Sequence, residues 1–205
     1  MKPLLLVGGG GHCRSCIDVV EQEGRYRVAG VVERPGGSRT PVLGYPVLGD
    51  DEGLPELLNL FPTALVAVGQ IRTAKLRKQL FSSLQESGAE LATVVSPRAC
   101  VSRHAVVGEG TIVMHGAIVN AAVSIGANCI LNSLALVEHD TVVESHCHIA
   151  TGVTVNGGVF IGSGSFVGSG AVIYEGVRVG ADCVIAAGSV VKGDLSTGTR
   201  LRRNP

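Results

Sequence analysis

Six histidines, at positions 12, 104, 115, 139, 146 and 148, are the side chains in this sequence best suited to moving a proton near neutral pH. His139 stands out because Asp140 follows it directly. A carboxylate there could fix the imidazole tautomer and stabilise the imidazolium. Such a pair could accept a proton from an attacking amine or hydroxyl. An exposed turn histidine beside a solvated acid would look the same in sequence. If the attacked group is a carbonyl, donors for an oxyanion are also needed. Gly157 lies eighteen residues after His139, and Gly157-Gly158 offers backbone N–H groups that no side chain shields. A tight structural corner is the alternative reading. Near the start, Gly8-Gly9-Gly10-Gly11 could approach a phosphate or ribose closely, and Glu33 could contact a base or ribose. Gly8-x-Gly10 opens a dinucleotide fingerprint, but Cys13 stands where its third glycine belongs, so an NAD site is disfavoured. No P-loop Lys-Ser/Thr pair is present. No Cys/His pair has zinc-ligand spacing, and no metal is expected.

The elements that must hold these residues come in two kinds. The chain has 205 residues, 17 Lys+Arg and 17 Asp+Glu, a balance that argues against nucleic-acid binding through bulk charge. No apolar run approaches the length of a membrane span, and the short apolar start leads straight into glycines, so no membrane insertion and a cytoplasmic location are expected. Six cysteines are then reduced thiols. Residues 1–94 read as a small α/β domain. Strands are expected at Leu4–Val7, Arg27–Val32, Ala64–Val68 and Leu91–Val95. Helices are expected at His12–Glu23, Leu54–Leu60 and Arg72–Glu86, the last with Leu76, Leu80 and Leu84 on one face.

Residues 95–205 follow another rule. From Val95 to Val191 an aliphatic residue recurs every six positions without a slip, giving seventeen repeats. Four positions after each lies a second, mostly small residue, the last of these being Leu195. Hexapeptide periodicity predicts a parallel β-helix, three repeats to a triangular coil, with the aliphatic pointing inward and the small residue near a corner. With aromatics at only 3% and no Trp, aliphatics must fill the prism. The 29 glycines, about twice the usual share, suit its many turns. No long loop should leave it. Cys129, Cys147 and Cys183 all fall at the small inward position and read as packing residues, which argues against an acyl-cysteine mechanism. His139 falls outside the prism, with Gly157 one coil along on the same face. His148 also points outward. His104, His115 and His146 read as solvated turn residues.

Several motifs together resemble one family. They are Gly8-Gly9-Gly10-Gly11-His12, Gly44-Tyr45-Pro46-Val47-Leu48-Gly49, Ala67-Val68-Gly69 followed by Arg77, Val137-Glu138-His139-Asp140, and Cys147-His148-Ile149. The repeat block resembles the left-handed β-helix of hexapeptide acyltransferases. The chain as a whole resembles the sialic-acid-O-acetyltransferase-like proteins, which include nucleotide-aminosugar N-acetyltransferases. The resemblance implies a homotrimer with acetyl-CoA in a groove between prisms. It also implies a nucleotide-linked aminosugar held between the first domain and an adjacent β-helix. His139 would be the general base and Asp140 its orienting acid. Gly157, Gly158 and His148 would meet the acetyl donor, and Asn132 would hold the acceptor amine or a neighbouring hydroxyl. Gly8, Gly10, His12, Glu33 and Gly69 would hold the nucleotide-sugar. Arg200, Arg202 and Arg203 could meet coenzyme phosphates or form a solvated tail. O-acetylation of a sugar or sialic acid by the same site is the nearest alternative, and a non-catalytic nucleotide-binding scaffold is a more distant one.

Overall fold

A computed structural model describes residues 1–202; Arg203 of the basic tail, with Asn204 and Pro205, lies outside the described residues. Strand β1 (Lys2–Val7) buries Leu4, Leu5, Leu6 and Val7 in succession, the mark of a central parallel strand covered on both faces. β2 (Tyr26–Glu33), β3 (Val47–Asp50), β4 (Thr63–Val66) and β5 (Glu90–Leu91) complete a parallel sheet of order β3-β2-β1-β4-β5. The order reverses at β1/β4, and in such sheets ligands bind at the carboxyl ends of the strands beside that reversal.

Helix α1 (Gly11–Glu23) buries Cys13, Cys16, Ile17, Val19 and Val20 against the sheet and stops at Gly24, whose φ of 75° ends it in the left-handed conformation. α2 spans Leu54–Leu60, and α3 spans Lys75–Glu86. Three details depart from the sequence reading. α3 begins at Lys75 rather than Arg72, and Leu76 is exposed while Leu80 and Leu84 are buried. β3 carries too little apolar pattern to announce itself. The expected strand Leu91–Val95 splits: β5 ends at Leu91, and Val94–Val95 pairs with Ile112–Val113 in the second architecture.

That architecture is a three-walled prism of two-residue parallel strands. Each strand pairs with the strand eighteen residues on, as Leu136–Val137 does with Thr154–Val155. The first wall runs from Cys100–Val101 to Val190–Val191, the second from Val106–Val107 to Arg178–Val179, and the third from Val94–Val95 to Arg200–Leu201. Most of the repeat aliphatics and small residues form one buried core. The small inward position also satisfies the corners. Thr111 and Ser165 hydroxyls, and the Cys129 and Cys147 thiols, donate to a corner carbonyl fifteen residues on. Burial raises the Cys147 thiol well above its ordinary pKa. These cysteines are packing groups, as the periodicity requires.

The last coil is the exception. Leu195 bridges Val179 and Leu201 pairs with Ile185, offsets of sixteen instead of eighteen. Leu195 therefore occupies the wall position of its coil rather than the small corner position expected from the rhythm, because the turn after Val191 is two residues shorter.

Two polar struts lock the halves together. Arg77 on α3, 1% exposed, donates to the carbonyls of Val66 and Val68 and to both the backbone and side-chain oxygens of Asn128. His115 bridges Ser96 Oγ (2.6 Å) and Asp18 on α1 (2.8 Å). His115 is thus an anchored residue rather than a solvated one. His146 is likewise half-buried, its Nδ1 3.0 Å from Asn128 Nδ2 and its ring edge-on to Phe81. His104 stays exposed.

Candidate active site

His139 sits on the turn that follows Leu136–Val137, outside the first wall. Its Nδ1 lies 2.8 Å from Asp140 Oδ2, and the two side chains are 61% and 68% exposed. A carboxylate accepts, so Nδ1 carries the hydrogen and Nε2 presents a lone pair outward. Asp140 adopts φ 59°, one of the left-handed turn positions repeated along this corner. The hydrogen bond to Asp140 raises the His139 pKa above its ordinary value; Asp140, Glu138 and Glu175 add to the same field. Glu138 is itself held by Asn120 at 2.8 Å.

Gly157, one coil along, lies under the imidazole. A Cβ there would come within 2.8 Å of Cε1 and 2.9 Å of Nε2, so only glycine leaves the ring in place. Its N–H has no acceptor among the described residues. Gly158 differs: its N–H donates to the His139 carbonyl at 2.9 Å, which ties the two turns together and leaves that donor occupied.

A second group of residues lies elsewhere. The carboxyl ends of β1, β2 and β4 open into a cavity of about 800 Å³ against the third wall, lined among others by Gly8, Gly10, His12, Glu33, Gly69 and His148. Gly8 holds φ 109° and lies against Val68, where any Cβ would collide. Gly10 caps α1. Glu33 Oε1 accepts from the Arg34 N–H at 2.9 Å, while its carboxylate lies over Gly9. Gly69 sits beside His12.

His148 does point out of the prism, but the first domain covers it, leaving it 7% exposed. Its Nδ1 is 2.7 Å from the Gln70 carbonyl, so that nitrogen must carry the hydrogen. Nε2 is then an acceptor, 3.2 Å from Asn132 Nδ2. Burial, with the nearby Arg77 charge, lowers the His148 pKa to about 4. Burial likewise lowers His12 to about 3, with Arg77 and His148 adding to the effect. Both rings are neutral at pH 7. His12 Nε2 is buried without a partner.

The residues singled out in sequence therefore form two clusters in one chain. His139, Asp140 and Gly158 are exposed at one corner, with Gly157 buried beneath the His139 ring. Gly8, Gly10, His12, Glu33, Gly69, Asn132 and His148 surround or adjoin the cavity. Sequence reasoning missed Gln70, which lines the cavity and holds His148, and the acid Asp51 on its wall. Gln70 follows Gly69 at the strand end, where a ligand-facing residue belongs, but its type carries no distinctive signal.

Residues 3–84 match the PglD N-terminal domain family, and residues 158–193 match the bacterial transferase hexapeptide (six repeats) family. No curated protein sequence matches the chain. Among solved structures, it is similar to perosamine N-acetyltransferase from Caulobacter crescentus, a histidine-to-asparagine variant in complex with CoA and GDP-perosamine. The identity is 35%, covering 96% of this chain and 91% of that one, with a TM-score of 0.90. It is also similar to the acetyltransferase domain of PglB from Neisseria gonorrhoeae FA1090, with 29% identity, 97% and 95% coverage and a TM-score of 0.87. The same domain in complex with acetyl coenzyme A gives 30% identity, 96% and 94% coverage and a TM-score of 0.86. With an α/β domain, a hexapeptide prism and this identity over nearly its whole length, the chain belongs to the left-handed β-helix family of acetyl-CoA-dependent sugar N-acetyltransferases.

Proposed function

We propose that the chain transfers the acetyl group of acetyl-CoA to the 4-amino group of a nucleotide-linked deoxyaminosugar, with His139 as general base. One observation carries this reading: an exposed imidazole, oriented through Nδ1 by Asp140, lies over a buried glycine whose N–H has no acceptor among the described residues. The neutral amine attacks the thioester carbonyl, Nε2 of His139 takes the proton, and the carbonyl oxygen gains negative charge beside the Gly157 N–H. The C–S bond then breaks, and the thiolate can leave with the proton held by His139. No covalent enzyme intermediate is required.

In this reading residues 1–94 hold the acceptor and residues 95–205 the donor and the base. The cavity of one copy would meet the His139 corner of another in a homotrimer, which accounts for the two clusters lying apart in a single chain. Asn132, His148 and His12 then present neutral polar groups to the sugar. The GDP-perosamine bound by the Caulobacter protein supports an amine on a nucleotide-linked sugar. No described helix is long and apolar enough to cross a membrane; with two charged, water-soluble substrates, the reaction fits the cytoplasm.

His139→Ala should lower turnover by about 10²–10⁴ with coenzyme binding retained. Near-normal turnover would reject the assignment. A thiol-release assay across amino- and hydroxy-sugar nucleotides separates amine from hydroxyl acceptors, and coenzyme binding without thiol release from any acceptor would favour a scaffold.

A further inference from the structure

A second cavity, of about 370 Å³, adjoins the first through their common residue Gln70 and lies between the start of α3 and the last coils of the third wall. Four cations face it: Arg72, Lys75 and Lys78 from the first domain, and Arg200 from the final strand. The sole acid on its wall, among the described residues, is Asp182, which pairs with Lys78 at 3.0 Å. Arg200 is drawn towards Arg72, its guanidinium 3.4 Å from the Arg72 carbonyl. In a chain whose charges balance overall, gathering an excess of cations around one hollow raises their mutual repulsion, which an anion relieves.

The backbone adds to the same field. α3 runs for twelve residues, and its first turn, Lys75 onward, opens at this cleft without a side-chain cap. The Lys75 N–H is taken by Thr73 Oγ1 at 3.2 Å, while the next two, of Leu76 and Arg77, have no acceptor among the described residues and favour negative charge. Gly164 forms the floor. A Cβ there would fall on the Lys78 ammonium and the Asp182 carboxylate, so the floor is bare for their approach. The two cavities meet at Gln70, beside the third wall. Phe166 stands one strand along the wall from His148, and Val184 and Arg200 follow in register. Beside them Gln70 is 2% exposed; its Nε2 donates to the Gly164 carbonyl at 2.9 Å, and its Oε1 is buried with no donor.

We propose that this cleft, formed by Arg72, Lys75, Lys78 and Arg200, binds the phosphate groups of a substrate whose remainder runs past Phe166 and Gln70 towards His148. Two substrates of the proposed reaction carry such groups: the coenzyme, with its diphosphate and 3′-phosphate, and the nucleotide-sugar, with its diphosphate. The inference rests on that reaction for its choice of ligands, but its test reads binding alone.

Calorimetry on the full chain, comparing wild type with Arg72→Ala/Lys75→Ala, would use CoA and GDP as probes. Both substituted residues are exposed, and Lys75→Gln provides a milder variant with the charge alone removed. A tenfold or greater loss of CoA affinity with GDP unchanged assigns the cleft to the coenzyme. The same loss for GDP alone assigns it to the nucleotide diphosphate. Unchanged affinity for both probes in both variants overturns the proposal. Failure of the His139→Ala experiment would leave these affinities untouched, so the two claims fall separately.

Discussion

At His139 the geometry is controlled by an absence, the missing side chain of Gly157 beneath the ring. Gly157 has no positive φ to defend, so alanine is acceptable to the backbone, and its methyl instead pushes against the imidazole. Gly157→Ala should therefore lower kcat by about ten- to a hundredfold, because a small misplacement of a catalytic group is costly. Its melting temperature should stay near wild type. A stability loss equal to that of a buried defect, with activity per folded molecule intact, would show that the glycine serves the corner alone. The His139-Asp140 pair and Gly157 were legible in sequence because the six-residue rhythm assigns every position a side of the prism. His146 and His115 were misread for the same reason: rhythm tells inside from outside the prism, but not which outward residues the first domain covers. That cover turns His146 against Phe81 and ties His115 to Asp18.

Among the elements, α3 carries the main contact between the two halves. Arg77 is buried with no carboxylate paired to it among the described residues, and burial lowers its pKa to about 10. Its charge is spread over oxygens from β4, the segment after it and the turn at Asn128. Removing it leaves those buried acceptors unsatisfied, a loss of several charge-assisted hydrogen bonds each worth about 1.5–3 kcal/mol. Arg77→Ala should destabilise the protein by about 3 kcal/mol or more, read as a fall in the denaturation midpoint; a change under about 1 kcal/mol would mean that water replaces the guanidinium. The helices and the prism were visible in sequence because their periods are sustained over many residues. Short β3 and the split at Leu91 were not. Two- to four-residue strands leave no period to count, and only pairing partners distinguish Leu91 from Val94. The Ser96-His115-Asp18 chain has the members of a hydrolytic triad, yet Ser96 is 1% exposed and its hydroxyl accepts the Arg98 N–H, so it works as a strut.

Across the whole molecule, two neutral histidines buried at the junction make stability depend on pH. His12 and His148 have folded pKa values of about 3 and 4, below the ordinary 6.5. Between those limits the unfolded chain binds protons that the folded chain refuses, so stability rises with pH there. Acidification from pH 6.5 towards pH 4 should lower it by up to about 1.4 kcal/mol per pH unit for each histidine. His148→Gln should flatten the slope in urea titrations across that range; an unchanged slope would place the acid sensitivity elsewhere. The far end of the prism has a different consequence. A stack of equal coils is a template, since each rim displays the backbone groups that the next coil would need. Because the final circuit is cut by two residues, that rim no longer repeats the spacing below it. A second molecule arriving end-on would meet, between the first and second walls, a corner tighter than its own regular turns, which disfavours growth into a fibre.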